Sequence, residues 1–161
     1  MIHADFLDIE AESAKNVNQR PAQNKPLQPG AIIMVVPRRK RILLVEDEED
    51  VKDLCEITLA EYDLTCSRDF DEGLRIARQR DFDLYILDSW LPGKSGVELC
   101  RAIREFDSDT PILFYSAAAF KRDIQEALRE GAQAYLTKPA SAQAIRHAVG
   151  SLISAPPEMD S

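Results

Sequence analysis

Five side chains that can bind a metal ion or a phosphoryl group each stand at the end of a short apolar run. They are the carboxylates of Glu46, Asp47 and Asp88, the hydroxyl of Ser116 and the amine of Lys138. Short apolar runs bounded by turn residues are typical of strands that are buried on both faces of a sheet. Parallel α/β sheets place their ligand sites at the carboxyl ends of such strands. These five residues are therefore the candidates for one shared site.

Apolar periodicity predicts five strands that alternate with five helices. The predicted strands are Arg41–Val45, Leu64–Ser67, Leu84–Leu87, Pro111–Tyr115 and Gln133–Leu136. The predicted helices are a first one after the acidic run Glu46–Asp50, followed by Asp71–Arg80, Ser95–Glu105, Ala119–Glu130 and Ser141–Ile153. This alternation indicates a parallel sheet with helices on both faces and right-handed crossovers. We expect an α/β fold with a doubly wound five-stranded parallel sheet, in the flavodoxin-like order 2-1-3-4-5.

The order 2-1-3-4-5 makes strands one and three neighbours, so the carboxylates of Glu46, Asp47 and Asp88 should converge. Like charges at close range repel, and a hard divalent cation relieves that repulsion. Mg²⁺ prefers carboxylate, water and phosphate oxygens, whereas the isolated His3 and His147 offer no zinc cluster. The residues therefore predict a Mg²⁺ site.

A carboxylate, a cation, a hydroxyl and an amine together suit phosphoryl transfer onto an aspartate. Asp88 can be the nucleophile and form an acyl phosphate. Lys138 and Ser116 can hold the oxygens of the transferred group while the cation offsets its charge. Taken singly, Glu46 and Asp47 could be helix N-terminal acids, Ser116 an N-cap and Lys138 a surface residue. Their joint occurrence at successive strand ends favours the phosphoryl site.

The composition narrows the class of protein. With 161 residues and a formal net charge of −8, the chain lacks the basic excess that nonspecific nucleic-acid binding requires. Its three cysteines form no C-x-x-C pair and no disulfide framework, which indicates a reducing compartment. No apolar run approaches the roughly 20 residues that span a membrane. We expect a cytoplasmic protein that neither inserts into membranes nor contacts nucleic acid directly.

Three segments of the chain differ in character. Residues 1–38 are predicted to be a flexible leader, because Asn16–Gly30 is rich in Asn, Gln and Pro. In this leader the apolar run Ala31–Val36 could be an extra strand or an arm, and Met34 could be the true start. Residues 39–155 form the predicted domain, and residues 156–161 form a short polar tail.

Four motifs resemble those of the receiver domain of two-component response regulators, of the single-domain, chemotaxis-regulator kind. They read ILLVEDE from position 42, LYILDSWLPGKSG from position 84, ILFYSA from position 112 and AYLTKP from position 134. The resemblance spans residues 40–153 and implies that Asp88 is the phosphoacceptor. It also implies that Glu46 and Asp47 hold Mg²⁺, directly or through water. The main-chain carbonyl of Trp90 matches the third protein ligand of the metal.

The resemblance also assigns the residues that respond to phosphorylation. It implies that Lys138 binds the phosphate, that Ser116 is the switch hydroxyl, and that Tyr135 is an aromatic switch on strand five. Ala117 matches the small residue that leaves the site open, and the Lys138–Pro139 bond is expected to be cis. Phosphorylation is then expected to alter the face built by helix four, strand five and helix five.

Two residues depart from the family pattern. Glu46 stands where the family has Asp, so its longer side chain leaves a water-mediated contact to the metal as an alternative to direct ligation. Trp90 is a bulky residue where a smaller polar one is frequent. Neither Trp90 nor Ala118 offers a polar side chain that could position a hydrolytic water, which predicts a long-lived acyl phosphate.

The expected function is that of a phosphoacceptor in a two-component system or phosphorelay. The expected partners are a sensor histidine kinase or a histidine phosphotransfer protein, and a downstream protein that binds the helix4–strand5–helix5 face. The same face is a candidate dimer interface. Because no DNA-binding or catalytic domain follows helix five, we interpret the chain as a single-domain regulator. It is expected to be no enzyme beyond catalysing its own phosphorylation and dephosphorylation.

The same residues are also partly compatible with three other classes of protein. A pseudo-receiver would be an interaction module without phosphorylation, and the complete set of site residues argues against it. A haloacid-dehalogenase-like phosphatase also uses a strand-end Asp with Mg²⁺, but it needs a general acid at the position of Trp90. A nucleotide-binding loop at Gly93-Lys94-Ser95 needs a glycine where this chain has Asp88.

Overall fold

The computed structural model describes residues 37–154 of the chain. The predicted leader up to residue 36, with its apolar run and the candidate start at Met34, and the tail after residue 154 lie outside the described residues. Strands and helices alternate along the described part, as the apolar pattern predicts. Their bounds are β1 Arg41–Val45, α1 Glu49–Thr58, β2 Asp63–Ser67, α2 Phe70–Gln79, β3 Leu84–Leu87, α3 Gly96–Arg104, β4 Ile112–Ser116, α4 Lys121–Arg129, β5 Ala134–Thr137 and α5 Ala142–Ser154.

The five strands form one parallel sheet in the order β2-β1-β3-β4-β5. This order confirms the predicted doubly wound α/β fold. Val45 of β1 pairs with Ser67 of β2 and with Leu87 of β3, and Ser116 of β4 pairs with Thr137 of β5. The carboxyl ends of the strands therefore share one edge of the sheet, where the site residues were expected.

Several element bounds differ from the sequence-based prediction by one or two residues, and two of these differences have clear local reasons. β4 begins at Ile112 rather than at Pro111, because proline has no N–H to donate to the ladder. α4 begins at Lys121 rather than at Ala119, and Phe120 at its N-cap keeps an extended backbone with φ −71° and ψ 142°. The β4–α4 loop is therefore longer than predicted.

Hydrophobic side chains pack on both faces of the sheet. Alternate residues of a strand point to opposite faces, so Leu43 and Val45 pack into one buried cluster and Ile42 and Leu44 into the other. Helices α2, α3 and α4 cover the first cluster, and α1 and α5 cover the second. All residues of β3 are buried, so Asp88, which follows β3, projects from a rigid part of the fold.

The helices and the cysteines follow the expectations from the composition. None of the five helices between residues 37 and 154 has the length and hydrophobicity of a membrane span. The three cysteines are free, with Cys55 and Cys100 buried and Cys66 half-buried. Burial raises the pKa of the Cys55 and Cys100 thiols to about 11, so both stay protonated at neutral pH. Cys55 and Cys100 are packing residues, as predicted.

Candidate functional site

Glu46 and Asp88 stand side by side where β1 and β3 end. The N–H of Asp88 donates to the carbonyl of Val45 at 3.0 Å, and the N–H of Glu46 donates to the carbonyl of Ser67 at 2.9 Å. Only 1% of the surface of Glu46 and 4% of that of Asp88 is exposed. The sheet pairing therefore continues past the strand ends and holds both carboxylates in place.

Asp47 completes a group of three carboxylates. One oxygen from each of Glu46, Asp47 and Asp88 lies within 4.8 Å of the other two. Asp47 is exposed while the other two are buried, so the group can be reached from solvent on the Asp47 side. The predicted convergence of these three side chains is confirmed.

Lys138 reaches the same carboxylates from just beyond β5. Its Nζ atom lies 2.8 Å from Oε2 of Glu46, 3.3 Å from Oδ2 of Asp88 and 3.4 Å from Oε1 of Glu48. Only 9% of the Lys138 side chain is exposed. The Lys138–Pro139 peptide bond is cis, as expected. Lys138 is therefore the cation that faces the carboxylate group.

Burial and charge act against each other at this site. Desolvation raises the pKa of the Glu46 carboxyl, although the ammonium of Lys138 opposes that shift. Burial also acts to lower the pKa of Lys138, but the carboxylates of Glu46 and Asp88 outweigh it, and the pKa of Lys138 is raised. One ammonium thus faces several carboxylates, and a second cation would relieve the charge that remains.

Asp88 keeps one oxygen atom without a partner. Its Oδ1 is buried and accepts no hydrogen bond, whereas its Oδ2 faces Lys138. A buried carboxylate oxygen without a partner is costly unless a ligand satisfies it. A Mg²⁺ ion held by Glu46, Asp47 and Asp88 fits this unpaired oxygen and the all-oxygen donor set.

Gly96 shapes the loop that follows Asp88. A Cβ atom at Gly96 would lie 1.8 Å from the carbonyl oxygen of Asp88, so a side chain cannot be placed there without moving the loop. The N–H of Gly96 donates to the carbonyl of Ser89 at 3.0 Å. α3 then begins with a capping box between Ser95 and Glu98. The position of Asp88 thus depends on the close packing of a glycine.

The two predicted switch residues, Ser116 at the end of β4 and Tyr135 in β5, both contact the β4–α4 loop. Ser116 is fully buried, and its Oγ atom accepts a hydrogen bond from the N–H of Ala118 at 3.3 Å. The hydroxyl of Tyr135 donates to the carbonyl of Ala118 and lies 3.1 Å from Oγ of Ser89. The Tyr135 ring stacks on Phe114, with 5.7 Å between ring centroids. Ser116 and Tyr135 therefore contact the same loop residue.

Trp90 and Ala117 lie on the surface. Trp90 is 72% exposed and pairs with Ser95 in an isolated antiparallel bridge, and Ala117 is also exposed. Metal ligation by the main-chain carbonyl of Trp90 stays a prediction.

Two residues at the site were not predicted to act there. Glu48 contacts Lys138, and its N–H donates to Oε1 of Glu46 at 3.2 Å. Its position in the acidic run after β1 could have indicated, from the sequence, that Glu48 lies at the site. Ser89 contacts Tyr135, a residue 46 positions later in the chain. The local sequence carries no signal for that contact, because the tertiary fold brings the two residues together.

The fold and the site together define an α/β domain whose acidic strand-end pocket is faced by a lysine. The family model described as the response regulator receiver domain matches residues 42–150 of this chain. The chain therefore belongs to the response regulator receiver family, whose members act in two-component systems.

Individual relatives agree with this assignment. The uncharacterized transcriptional regulatory protein YrkP of Bacillus subtilis is 43% identical over 103 residues, which cover 63% of this chain and 44% of that protein. The response regulator ArlR of Staphylococcus epidermidis is 33% identical over 121 residues, which cover 74% of this chain and 55% of that protein. The chain thus spans about half the length of these curated relatives.

Solved structures share the fold. The signal receiver domain of an HD domain-containing protein from Pseudomonas fluorescens matches with a TM-score of 0.70 and 27% identity, over 75% of this chain and 91% of that one. A chemotaxis protein of Vibrio cholerae matches with a TM-score of 0.66 and 26% identity, over 71% of this chain and 99% of that one. The expected likeness to chemotaxis regulators is therefore present at the level of the fold.

Proposed function

We propose that Asp88 accepts a phosphoryl group in a Mg²⁺-dependent reaction and thereby switches a protein-binding surface. The observation that carries this proposal is the setting of Asp88, a buried carboxylate with one unpaired oxygen, beside Glu46, Asp47 and the ammonium of Lys138. The oxygens of buried carboxylates with a structural function are mostly hydrogen-bonded. The unpaired oxygen supports the interpretation of Asp88 as a nucleophile.

The proposed chemistry is transfer from a phosphohistidine to Asp88. A carboxylate oxygen of Asp88 attacks the phosphorus, the P–N bond breaks, and the histidine nitrogen leaves with the electron pair of that bond. We expect Lys138, whose Nζ lies 3.3 Å from Oδ2 of Asp88, to pair with an oxygen of the transferred group. Glu46, Asp47, Asp88 and the carbonyl of Trp90 are the proposed ligands of Mg²⁺, which supplies charge neutralisation when bound.

The acyl phosphate adds a charge of about −1.5 to −2 next to the β4–α4 loop. Ser116 and Lys138 are the groups that we expect to bind it. A movement of the loop would reach Tyr135, because the Tyr135 hydroxyl already contacts Ala118 in that loop. The surface of α4, β5 and α5 (the α4–β5–α5 face) then shifts between two packing arrangements. A free-energy difference of a few kcal/mol is enough to change which arrangement predominates.

The proposed donor is a sensor histidine kinase or a histidine phosphotransfer protein. The proposed output is a downstream protein that binds the α4–β5–α5 face, or onward transfer of the phosphoryl group in a relay. The same face can serve a dimer. In this proposal the receiver domain works in the cytoplasm and acts through protein partners. It catalyses only its own phosphorylation and dephosphorylation.

Some relatives are named transcriptional regulatory proteins, but this chain matches only part of each of them. The matched segment covers only 44% of YrkP and 45% of the transcriptional regulatory protein DltR of Streptococcus agalactiae. The output that those names describe belongs to whole proteins about twice as long as the matched segment. For this chain, the receiver function is what the likeness supports.

Two alternative functions are less well supported by the site. A pseudo-receiver would not need the unpaired oxygen of Asp88 or the lysine that faces it. A haloacid-dehalogenase-like phosphatase needs an acid or base two residues after the nucleophile. That position holds Trp90, whose exposed indole cannot transfer the required proton.

Trp90 provides a direct test of the proposed function, since it is the one tryptophan of the chain and lies two residues from Asp88. We expect its fluorescence to change on addition of Mg²⁺ and again on addition of beryllofluoride, a phosphoryl mimic. The Asp88→Asn variant, which keeps the side-chain shape and removes the charge, should lose the second response. A wild-type protein that responds to neither addition would contradict the proposal.

A further inference from the structure

The hydroxyl of Tyr135 lies between two loops that border the phosphoacceptor. On one side it contacts the carbonyl of Ala118, in the loop after β4. On the other side it lies 3.1 Å from Oγ of Ser89, the residue directly after Asp88. Tyr135 and Ser89 are both half-buried, and the Tyr135 ring stacks on Phe114.

The direction of these two hydrogen bonds follows from the number of hydrogens. A phenol hydroxyl has a single hydrogen, and a carbonyl oxygen can only accept. Tyr135 therefore donates to Ala118 and must accept from the hydroxyl of Ser89. The contact thus requires a hydroxyl donor at position 89, which an aliphatic side chain cannot supply.

Both ends of this hydrogen-bonded chain are attached to the site. The carbonyl of Ser89 accepts a hydrogen bond from Gly96, the glycine that packs against Asp88. At the other end, the N–H of Ala118 donates to Oγ of Ser116. A displacement of either loop therefore changes the distances available to the Tyr135 hydroxyl.

We propose that Ser89 is a positioning residue that holds Tyr135 in the orientation described above, the inward orientation, before any phosphoryl group is present. The regulatory consequence rests on the proposed function, whereas the contact itself does not. Because Ser89 adjoins Asp88 directly, it gives the phosphoacceptor loop a second connection to Tyr135, independent of Ser116. Loss of the Ser89 hydroxyl should lower the inward population of Tyr135.

One neutral hydrogen bond determines the size of the expected effect. Removing it should change the ratio of inward to outward Tyr135 by roughly two- to twelve-fold. If the inward orientation favours phosphoryl binding, the beryllofluoride concentration at half-saturation should rise by up to the same factor. The effect should vanish when Tyr135 has no hydroxyl, because the Ser89 hydroxyl then has no acceptor there.

The test compares Ser89→Ala, Ser89→Thr, Tyr135→Phe and the Ser89→Ala/Tyr135→Phe double variant of the full chain. Ring signals of ¹³C-labelled tyrosine are recorded without any phosphoryl donor, and the four tyrosines of the chain make the assignment simple. Titration with beryllofluoride in the presence of Mg²⁺ follows. Ser108→Ala is the matched control, since Ser108 is an exposed serine whose hydroxyl donates a hydrogen bond to the neighbouring Asp109.

The expected result is that Ser89→Ala shifts the Tyr135 ring signals, that Ser89→Thr restores them, and that Ser108→Ala leaves them unchanged. Unchanged Tyr135 signals in a folded Ser89→Ala protein would overturn the proposal. An equal loss of beryllofluoride affinity from Ser89→Ala in the wild-type and Tyr135→Phe backgrounds would also overturn it. The ring signals need no phosphoryl group, so they decide on Ser89 even if beryllofluoride does not bind and the proposed function fails.

Discussion

Lys138 and Glu46 form a buried ion pair in which 2.8 Å separates Nζ from Oε2. The side chains of the two residues are 9% and 1% exposed, so solvent screens this pair very little. Glu46 is also a proposed ligand of Mg²⁺ and is one carbon longer than the Asp of the family pattern. If Mg²⁺ binds as proposed, lysine and metal would compete for this one carboxylate, with Lys138 as its counter-ion before the metal binds.

Removal of this counter-ion should change metal affinity and phosphorylation in opposite directions. We expect Lys138→Met to bind Mg²⁺ more tightly, on the order of ten-fold, because a positive charge leaves the site. Phosphorylation should slow by roughly ten- to a hundred-fold, since a charge-assisted hydrogen bond to the phosphoryl group is lost. Fluorescence titration of Trp90 and phosphoryl incorporation measure the two effects. Lys121→Met on α4 is the matched control, and weaker Mg²⁺ binding by Lys138→Met would contradict the competition.

Gly96→Ala should disrupt the site because its Cβ atom would lie 1.8 Å from the carbonyl oxygen of Asp88. We expect the free energy of unfolding to fall by about 1–3 kcal/mol and phosphorylation to be lost. Gly150→Ala on α5 is the matched control, since a Cβ placed there would enter open space. It should instead raise stability by about 0.5–1 kcal/mol. Urea denaturation compares the two, and equal effects would contradict the packing argument.

The lifetime of the acyl phosphate should depend on the residue at position 90. Trp90 is 72% exposed and offers no group that could orient a hydrolytic water toward Asp88. We expect Trp90→Asn to lose its phosphoryl group several-fold faster than the wild type, as measured by intact mass after removal of the donor. Trp90→Ala opens the site without adding a polar group. Comparing it with Trp90→Asn therefore separates the effect of the Asn amide from that of easier access for water. A wild type that loses phosphate faster than Trp90→Asn would contradict this prediction.

Asp83 should stabilise the fold at neutral pH and lose this effect in acid. It accepts hydrogen bonds from the N–H of Arg41 at 2.8 Å and from Lys40 at 3.0 Å, and it pairs with Arg38. Burial acts to raise the pKa of Asp83, but these partners outweigh it, and the pKa is lowered. The stabilisation is therefore complete above the unfolded-state pKa of about 3.9 and disappears as the pH falls through the lower folded-state pKa.

Asp83→Asn should accordingly cost about 1 kcal/mol in urea denaturation at pH 7, and the difference from the wild type should shrink below about pH 4. The control is Asp53→Asn, at an exposed position on α1. A constant difference between Asp83→Asn and the wild type across this pH range would show that charge is not the cause.

The fold could be predicted because each strand and helix carries a local pattern. The apolar runs, the acids before α1 and the turn residues after Asp88 were sufficient for the order of elements and the sheet order. The start of β4 was wrong by one residue because the apolar pattern includes Pro111, whereas hydrogen bonding excludes it. Local patterns thus indicate which residues are apolar, but not which of them can form the backbone hydrogen bonds of a strand.

The candidate site could be predicted as a set of strand ends, but not in its contacts. That Glu46, Asp47 and Asp88 meet follows from sheet order alone. The ion pair between Glu46 and Lys138 joins residues that are far apart in the chain, and side-chain directions determine it. The contact between Ser89 and Tyr135 depends in the same way on the tertiary fold.

The central claim is that Asp88 carries the phosphoryl group, and mass spectrometry of the protein after incubation with acetyl phosphate tests it most directly. The full chain is incubated with Mg²⁺ and, separately, with an excess of chelator, and the modified residue is located by peptide mapping. We predict one phosphoryl group per chain, on Asp88, that depends on Mg²⁺, is released by hydroxylamine and is absent from Asp88→Asn. An unmodified wild type, or a phosphoryl group that persists in Asp88→Asn, would contradict the account.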